Sequence, residues 1–184
     1  MTLKPFVVKK EITEATANPH LSVVTSILQT PNDQEVTWSY IKTNDAVFMF
    51  ALDDKQNVYL KREWRLNIKD FIWELPAGFI EEENPTDEQI QSAANRELQE
   101  EIGVKAAILE KIITVRPSNY LTMTSHIFLA KNFTESKLKE DEHEYLEVKK
   151  LPIKDAYDLI TKNQIPGTQT LIAFEIIMKK LNLS

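Results

Sequence analysis

The stretch Arg96-Glu97-Leu98-Gln99-Glu100-Glu101-Ile102-Gly103-Val104 decides how the rest of the chain is read. It closes a well-marked helix. Thr86 followed by Gln89 fits a capping box, and Gly103 stands where a C′ glycine belongs, so the spacing predicts a helix over residues 87–102. At ~100° per residue, Glu97, Glu100 and Glu101 share an arc of about 100°. Like charges at i,i+3 and i,i+4 repel, and acids in the last turn oppose the helix dipole. Spacing alone leaves two readings: a solvated acidic face, or a face whose repulsion is offset by a divalent cation. The donors are all oxygens, which selects Mg²⁺ or Mn²⁺ over zinc, and Arg96 is placed to orient the carboxylates.

Upstream lies Trp73-Glu74-Leu75-Pro76-Ala77-Gly78-Phe79-Ile80-Glu81. Pro76-Ala77-Gly78 ends an apolar run and is expected to open a loop leading to the acidic helix. Gly78 together with the Arg96 to Val104 stretch resembles the Nudix box, G-x5-E-x7-R-E-U-x-E-E-x-G-U with U aliphatic. The second half matches at every specified position. The first half departs from it, because Gly78 and Arg96 stand four residues further apart than in the pattern. Asn84 occupies the intermediate glutamate position counted from glycine, and Glu88 occupies it counted back from arginine. The extra residues read as a longer loop within 81–87.

The wider context, over roughly residues 38–178, resembles the ADP-ribose and nucleoside-diphosphate-sugar pyrophosphatase branch of that family. Lys61-Arg62-Glu63-Trp64-Arg65 sits where the branch has a Q-x-R-like strand end before E-L-P-A-G, and the resemblance implies a phosphate- or substrate-binding role for Arg65. Arg116-Pro117-Ser118-Asn119-Tyr120 replaces the usual P-G loop, with Asn119 at the glycine position. Asp141-Glu142-His143-Glu144 resembles the D-E-x-E loop that carries a catalytic glutamate. Glu142 is the first choice for the general base and Glu144 the second.

By the same resemblance Glu97, Glu100, Glu101 and the Ala77 carbonyl would hold Mg²⁺, with Mn²⁺ as a substitute. The substrate class would be a small nucleoside diphosphate sugar. The implied fold is α+β: an α/β/α sandwich with a mixed sheet, plus N-terminal antiparallel strands. Residues 1–43 resemble the extra strands through which such enzymes form a homodimer, and residues 44–184 would be the hydrolase domain. Trp38 and Tyr40, alternate residues of one strand, share a face. They are candidates for stacking on a base or for core packing.

Composition sets the outer bounds. The chain has 184 residues, 42% of them apolar and 27% charged, which is one globular domain with room for a small appendage. It has no cysteine, which excludes disulfides and thiolate chemistry. Its three glycines can spell neither a P-loop nor a dinucleotide fingerprint. The net charge is −6, and residues 74–101 alone carry nine acids against one base. That balance argues against nucleic acid as a partner. No apolar run approaches the ~20 residues of a membrane span, and the first residues lack a secretory signal, so a cytoplasmic protein with no membrane partner is expected.

Strands are expected at 6–10, 23–28, 37–41, 46–52, 58–64, 108–115, 127–131 and 145–151. Residues 46–52 and 58–64 read as a hairpin across a five-residue polar turn. Two closing helices are expected at 154–162 and 168–181. Three functions fit this sequence: hydrolysis of ADP-ribose to AMP and ribose 5-phosphate, hydrolysis of another nucleoside diphosphate sugar, or a non-catalytic module of the same fold that binds such a ligand.

Overall fold

A computed structural model describes residues 4–139, 145–162 and 166–183. The centre is the run Ala46–Ala51 (β4), which is apolar at every position. Such a run suits a strand buried on both faces, and its alternation serves two cores. Val47, Met49 and Ala51 face one apolar cluster, while Phe50, with Leu52 just beyond the strand, faces the other. Ser125–Glu135 (β9) runs parallel beside β4 and divides its residues likewise, Phe128 and Ala130 against Ile127 and Leu129. Val104–Val115 (β8) and Ala77–Phe79 (β7) complete a mixed four-stranded sheet in the order β7-β4-β9-β8.

Helix α1, Asp87–Glu101, covers one face of this sheet through Ile90, Ala93, Ala94 and Leu98. It starts and stops where the sequence says. Thr86 and Gln89 form a reciprocal capping box, and Gly103 takes the left-handed conformation at φ 74°. The other face is covered by Ile153–Thr161 (α2), Thr168–Lys180 (α3) and part of a second sheet. That sheet has the order β10-β5-β6, built from Glu147–Pro152 (β10), Asn57–Arg65 (β5) and Asp70–Glu74 (β6). Phe50 and Phe174 meet edge-on at 4.8 Å in this larger core. Helices on both faces of a mixed sheet give the expected α+β sandwich.

Val7–Ala15 (β1), Leu21–Gln29 (β2) and Glu35–Thr43 (β3) form a separate antiparallel sheet with a turn at Asp33. β3 is tied to the main body by Ile41, which exchanges backbone hydrogen bonds with Tyr120 at 2.8 Å and Thr122 at 3.0 Å.

Two local expectations are corrected. The 46–52 and 58–64 strands are not a hairpin. They share one bridge, Leu52 to Val58, and then enter different sheets. Both edges of β4 are already taken by β7 and β9, so β5 has nothing to pair with there. Ala77 and Gly78 do not open a loop either. They lie in β7, which pairs with β4 at Phe48 and Val47.

Candidate active site

Three elements meet at one cleft: the last two turns of α1, the short β7, and the end of β5. α1 turns Glu97 and Glu101 inward, 6% and 2% exposed. A carboxylate buried this far needs partners. On the outer side Arg96 supplies them. Its Nη2 lies 2.7 Å from Glu97 Oε1 and donates to the Phe79 carbonyl at 2.9 Å, and its Nη1 donates to Glu100 Oε2 at 2.9 Å. One guanidinium thus ties two carboxylates to β7.

On the inner side the partner is Lys61 of β5, 2% exposed. Its Nζ donates to Glu101 Oε1 and, at 3.2 Å, to the Ala77 carbonyl. It also lies 3.2 Å from Glu63 Oε2. The other Glu101 oxygen accepts the Ala77 N–H at 3.0 Å. Burial alone would push the Lys61 ammonium down, but the Glu101 and Glu63 carboxylates hold it above the usual lysine value. Burial raises the Glu101 carboxyl, while Lys61 and the Ala77 amide pull it the other way.

Gly78 leaves room for the Glu97 carboxylate against β7. A Cβ there would collide with the carboxylate of Glu97.

Arg65 lies at the end of β5, ion-paired with Glu63 at 3.0 Å and with Glu74. The cleft encloses about 610 Å³ and is lined by Lys61, Arg65, Ala77, Arg96, Glu97 and Glu100 among others. That lies within the ~300–1,000 Å³ of small-molecule sites.

The structure therefore brings together Arg65, Ala77, Arg96, Glu97 and Glu100 at the cleft, with Glu101 directly behind. It does not bring Trp38 or Tyr40 there. Trp38 is 55% exposed on the N-terminal sheet against Phe6, and the Tyr40 hydroxyl donates to Glu11 at 3.4 Å, so neither packs in the core. Glu142 and Glu144 lie outside the described residues. Sequence reasoning passed over Lys61 and Glu63. Their signal was the period of two in β5, which puts 61, 63 and 65 on one face.

The donor set suits a hard divalent cation, being oxygen throughout. Among the described residues no three acidic or histidine side chains converge as a ready-made metal cluster.

The sequence model of the NUDIX domain matches residues 42–171, most of the chain. The chain belongs to the Nudix family. This Nudix chain is 28% identical over 156 residues to an ADP-ribose pyrophosphatase of Bacillus subtilis (strain 168), covering 83% of this chain and 82% of that one. It is 25% identical over 154 residues to a methanol dehydrogenase activator of Bacillus methanolicus, covering 82% and 80%. A crystal structure of an ADP compounds hydrolase superposes over the whole of both chains with a TM-score of 0.84 at 21% identity, a likeness of fold. Nudix pyrophosphatases are hydrolases that typically use a divalent metal, and the Nudix box is where the acidic face of α1 lies.

Proposed function

We propose that this Nudix hydrolase splits the pyrophosphate linkage of ADP-ribose, giving AMP and ribose 5-phosphate, or that of a closely related nucleoside diphosphate sugar. The observation that carries this is the cleft onto which the Nudix-box carboxylates Glu97 and Glu100 and Arg65 open. Two curated relatives named ADP-ribose pyrophosphatase, from B. subtilis and Mycobacterium tuberculosis, point to the same substrate.

A pyrophosphate resists attack by water because its own charge repels the nucleophile. Mg²⁺, or Mn²⁺ in its place, would neutralise that charge when bound. Glu97 and Glu100 would hold it from α1; the family resemblance adds Glu101 and the Ala77 carbonyl, both of which Lys61 contacts here. Arg96 fixes the angle of those carboxylates. Arg65 faces the cleft as a planar donor suited to phosphate oxygens. Glu142, or else Glu144, takes the proton of the attacking water.

Residues 1–43 act as a dimerisation element and 44–184 as the hydrolase domain. Support comes from β1, exposed along its whole length, and from Phe6, Val7, Val8, Ile12 and Trp38 on the N-terminal segment, a set of apolar side chains that a second copy would cover. No helix among the described residues is long and apolar enough to cross a membrane. A cytoplasmic site of action completes the proposal.

The test is a panel of ADP-ribose, GDP-mannose and UDP- and ADP-sugars with Mg²⁺, read by phosphatase-coupled phosphate release. Turnover fastest on ADP-ribose is expected. Tight ligand binding with no turnover on any of them would instead identify a binding module.

A further inference from the structure

Lys61 lines the cleft but has no part in the hydrolytic scheme, and its position is specific. Its Nζ touches the Ala77 carbonyl and Glu101, two of the oxygens that the Nudix resemblance assigns to metal, with a Glu63 oxygen as a third neighbour. Both Glu101 oxygens are engaged, since its second one accepts the Ala77 amide. Lys61 cannot readily withdraw. It is enclosed, and leaving would strand a buried carboxylate. An ammonium and a divalent ion at the same corner would repel strongly across a few ångströms of low-dielectric interior.

We propose that the Lys61 ammonium is a built-in cation occupying the Ala77–Glu101 corner, so that this chain binds one divalent ion fewer than the same cleft without the lysine would. Divalent metal is then confined to the Glu97 and Glu100 side, and Glu101 serves to hold Lys61 and β7 in place. This rests on the hydrolase reading above, and it deepens that reading by fixing which of the four ligands metal can reach.

The experiment counts Mn²⁺ bound per full-length chain, by the loss of the free-ion EPR signal with Mn²⁺ alone as probe. It compares wild type, Lys61→Met, Glu101→Gln and the double variant. Lys61→Met should gain one ion per chain. Glu101→Gln should keep the wild-type count and affinity, and the double variant should return to the wild-type count. Lys61→Met leaves Glu101 without its partner and is expected to be the least stable, so Mn²⁺ should raise its Tm more than it raises that of wild type. The double variant removes both charges and folds without that dependence. Equal counts and equal Mn²⁺-induced Tm shifts in wild type and Lys61→Met would overturn the inference while leaving the hydrolase reading intact. Loss of an ion in Glu101→Gln would overturn it in the same way. No bound Mn²⁺ in any of the four proteins would overturn both.

Discussion

The two sides of the carboxylate face on α1 are balanced by different means. On the outer side Arg96 answers Glu97 and Glu100, its neighbours one and four residues on, and its side chain is one-third exposed. On the inner side Lys61 answers Glu101 from 40 residues away, and both side chains are almost fully enclosed. Local pairs near solvent contribute little, about 0–1 kcal/mol, whereas removing one member of a buried pair costs about 3–5 kcal/mol. The outer pairing therefore sets orientation, and the inner one holds the helix, β5 and β7 together. Repulsion along a helix face need not imply a bound cation if a distant strand delivers the counter-charge.

The largest effect expected from this contrast is on stability. In urea denaturation Lys61→Ala should lose about 3–5 kcal/mol and Arg96→Ala less, because the Arg96 side chain is one-third exposed and water can reach Glu100, though Glu97 is buried. Equal losses would erase the distinction between the two sides. Activity should invert the order of importance for the outer pair. Arg96→Ala should lower kcat/KM by roughly 10–100-fold, as expected of a residue that orients metal ligands, with a smaller fall in Tm than Lys61→Ala shows. Arg96→Lys should recover little, because a point charge cannot bridge two carboxylates and a carbonyl.

Two glycines sharpen the contrast further. Gly78→Ala would meet only the far end of the Glu97 side chain, so the fold should survive while activity falls. Gly103→Ala should do the reverse, costing about 1–2 kcal/mol through its left-handed φ with little change in activity of the folded protein.

The smallest effect concerns Asp53, in the turn between β4 and β5 and paired with neither Lys61 nor Arg96 but with Lys150 at 2.7 Å. Burial is the largest single influence and raises its carboxyl, but Lys150, both donors of Asn57 and the Lys55 amide together outweigh this and bring it down to about 2. A depressed carboxyl contributes stability that is complete above its ordinary 3.8 and is lost as the pH falls through about 2. Asp53→Asn should flatten the stability–pH curve within that window and leave it unchanged near neutrality.

How much of this was legible in the sequence follows the same local and distant division. α1 was legible to within a residue at its C-terminus, because Thr86, Gln89 and Gly103 are all local signals. The double-sided burial of β4 was legible in its unbroken apolar run, but its partners were not. The hairpin rule sees only the next strand, and β4 pairs with β9 from far along the chain. β7 has three residues, too few for a period. In the site, Arg96, Glu97, Glu100 and Glu101 could be read as one face by counting along a helix. Nothing local joins 61 to 101, so Lys61 could be read only after β5 and α1 were placed side by side. Trp38 and Tyr40 could be assigned to one strand, but neither side chain lines the cleft.

The central claim is that the acidic face of α1 is the reacting centre. The most direct measurement is the rate of ADP-ribose hydrolysis with Mg²⁺ by wild type and by Glu97→Gln, both shown to be folded. The account predicts AMP and ribose 5-phosphate from wild type. It predicts a loss in the variant beyond the roughly 100-fold typical of residues that only orient metal ligands. A Glu97→Gln variant that hydrolyses ADP-ribose at the wild-type rate would contradict it.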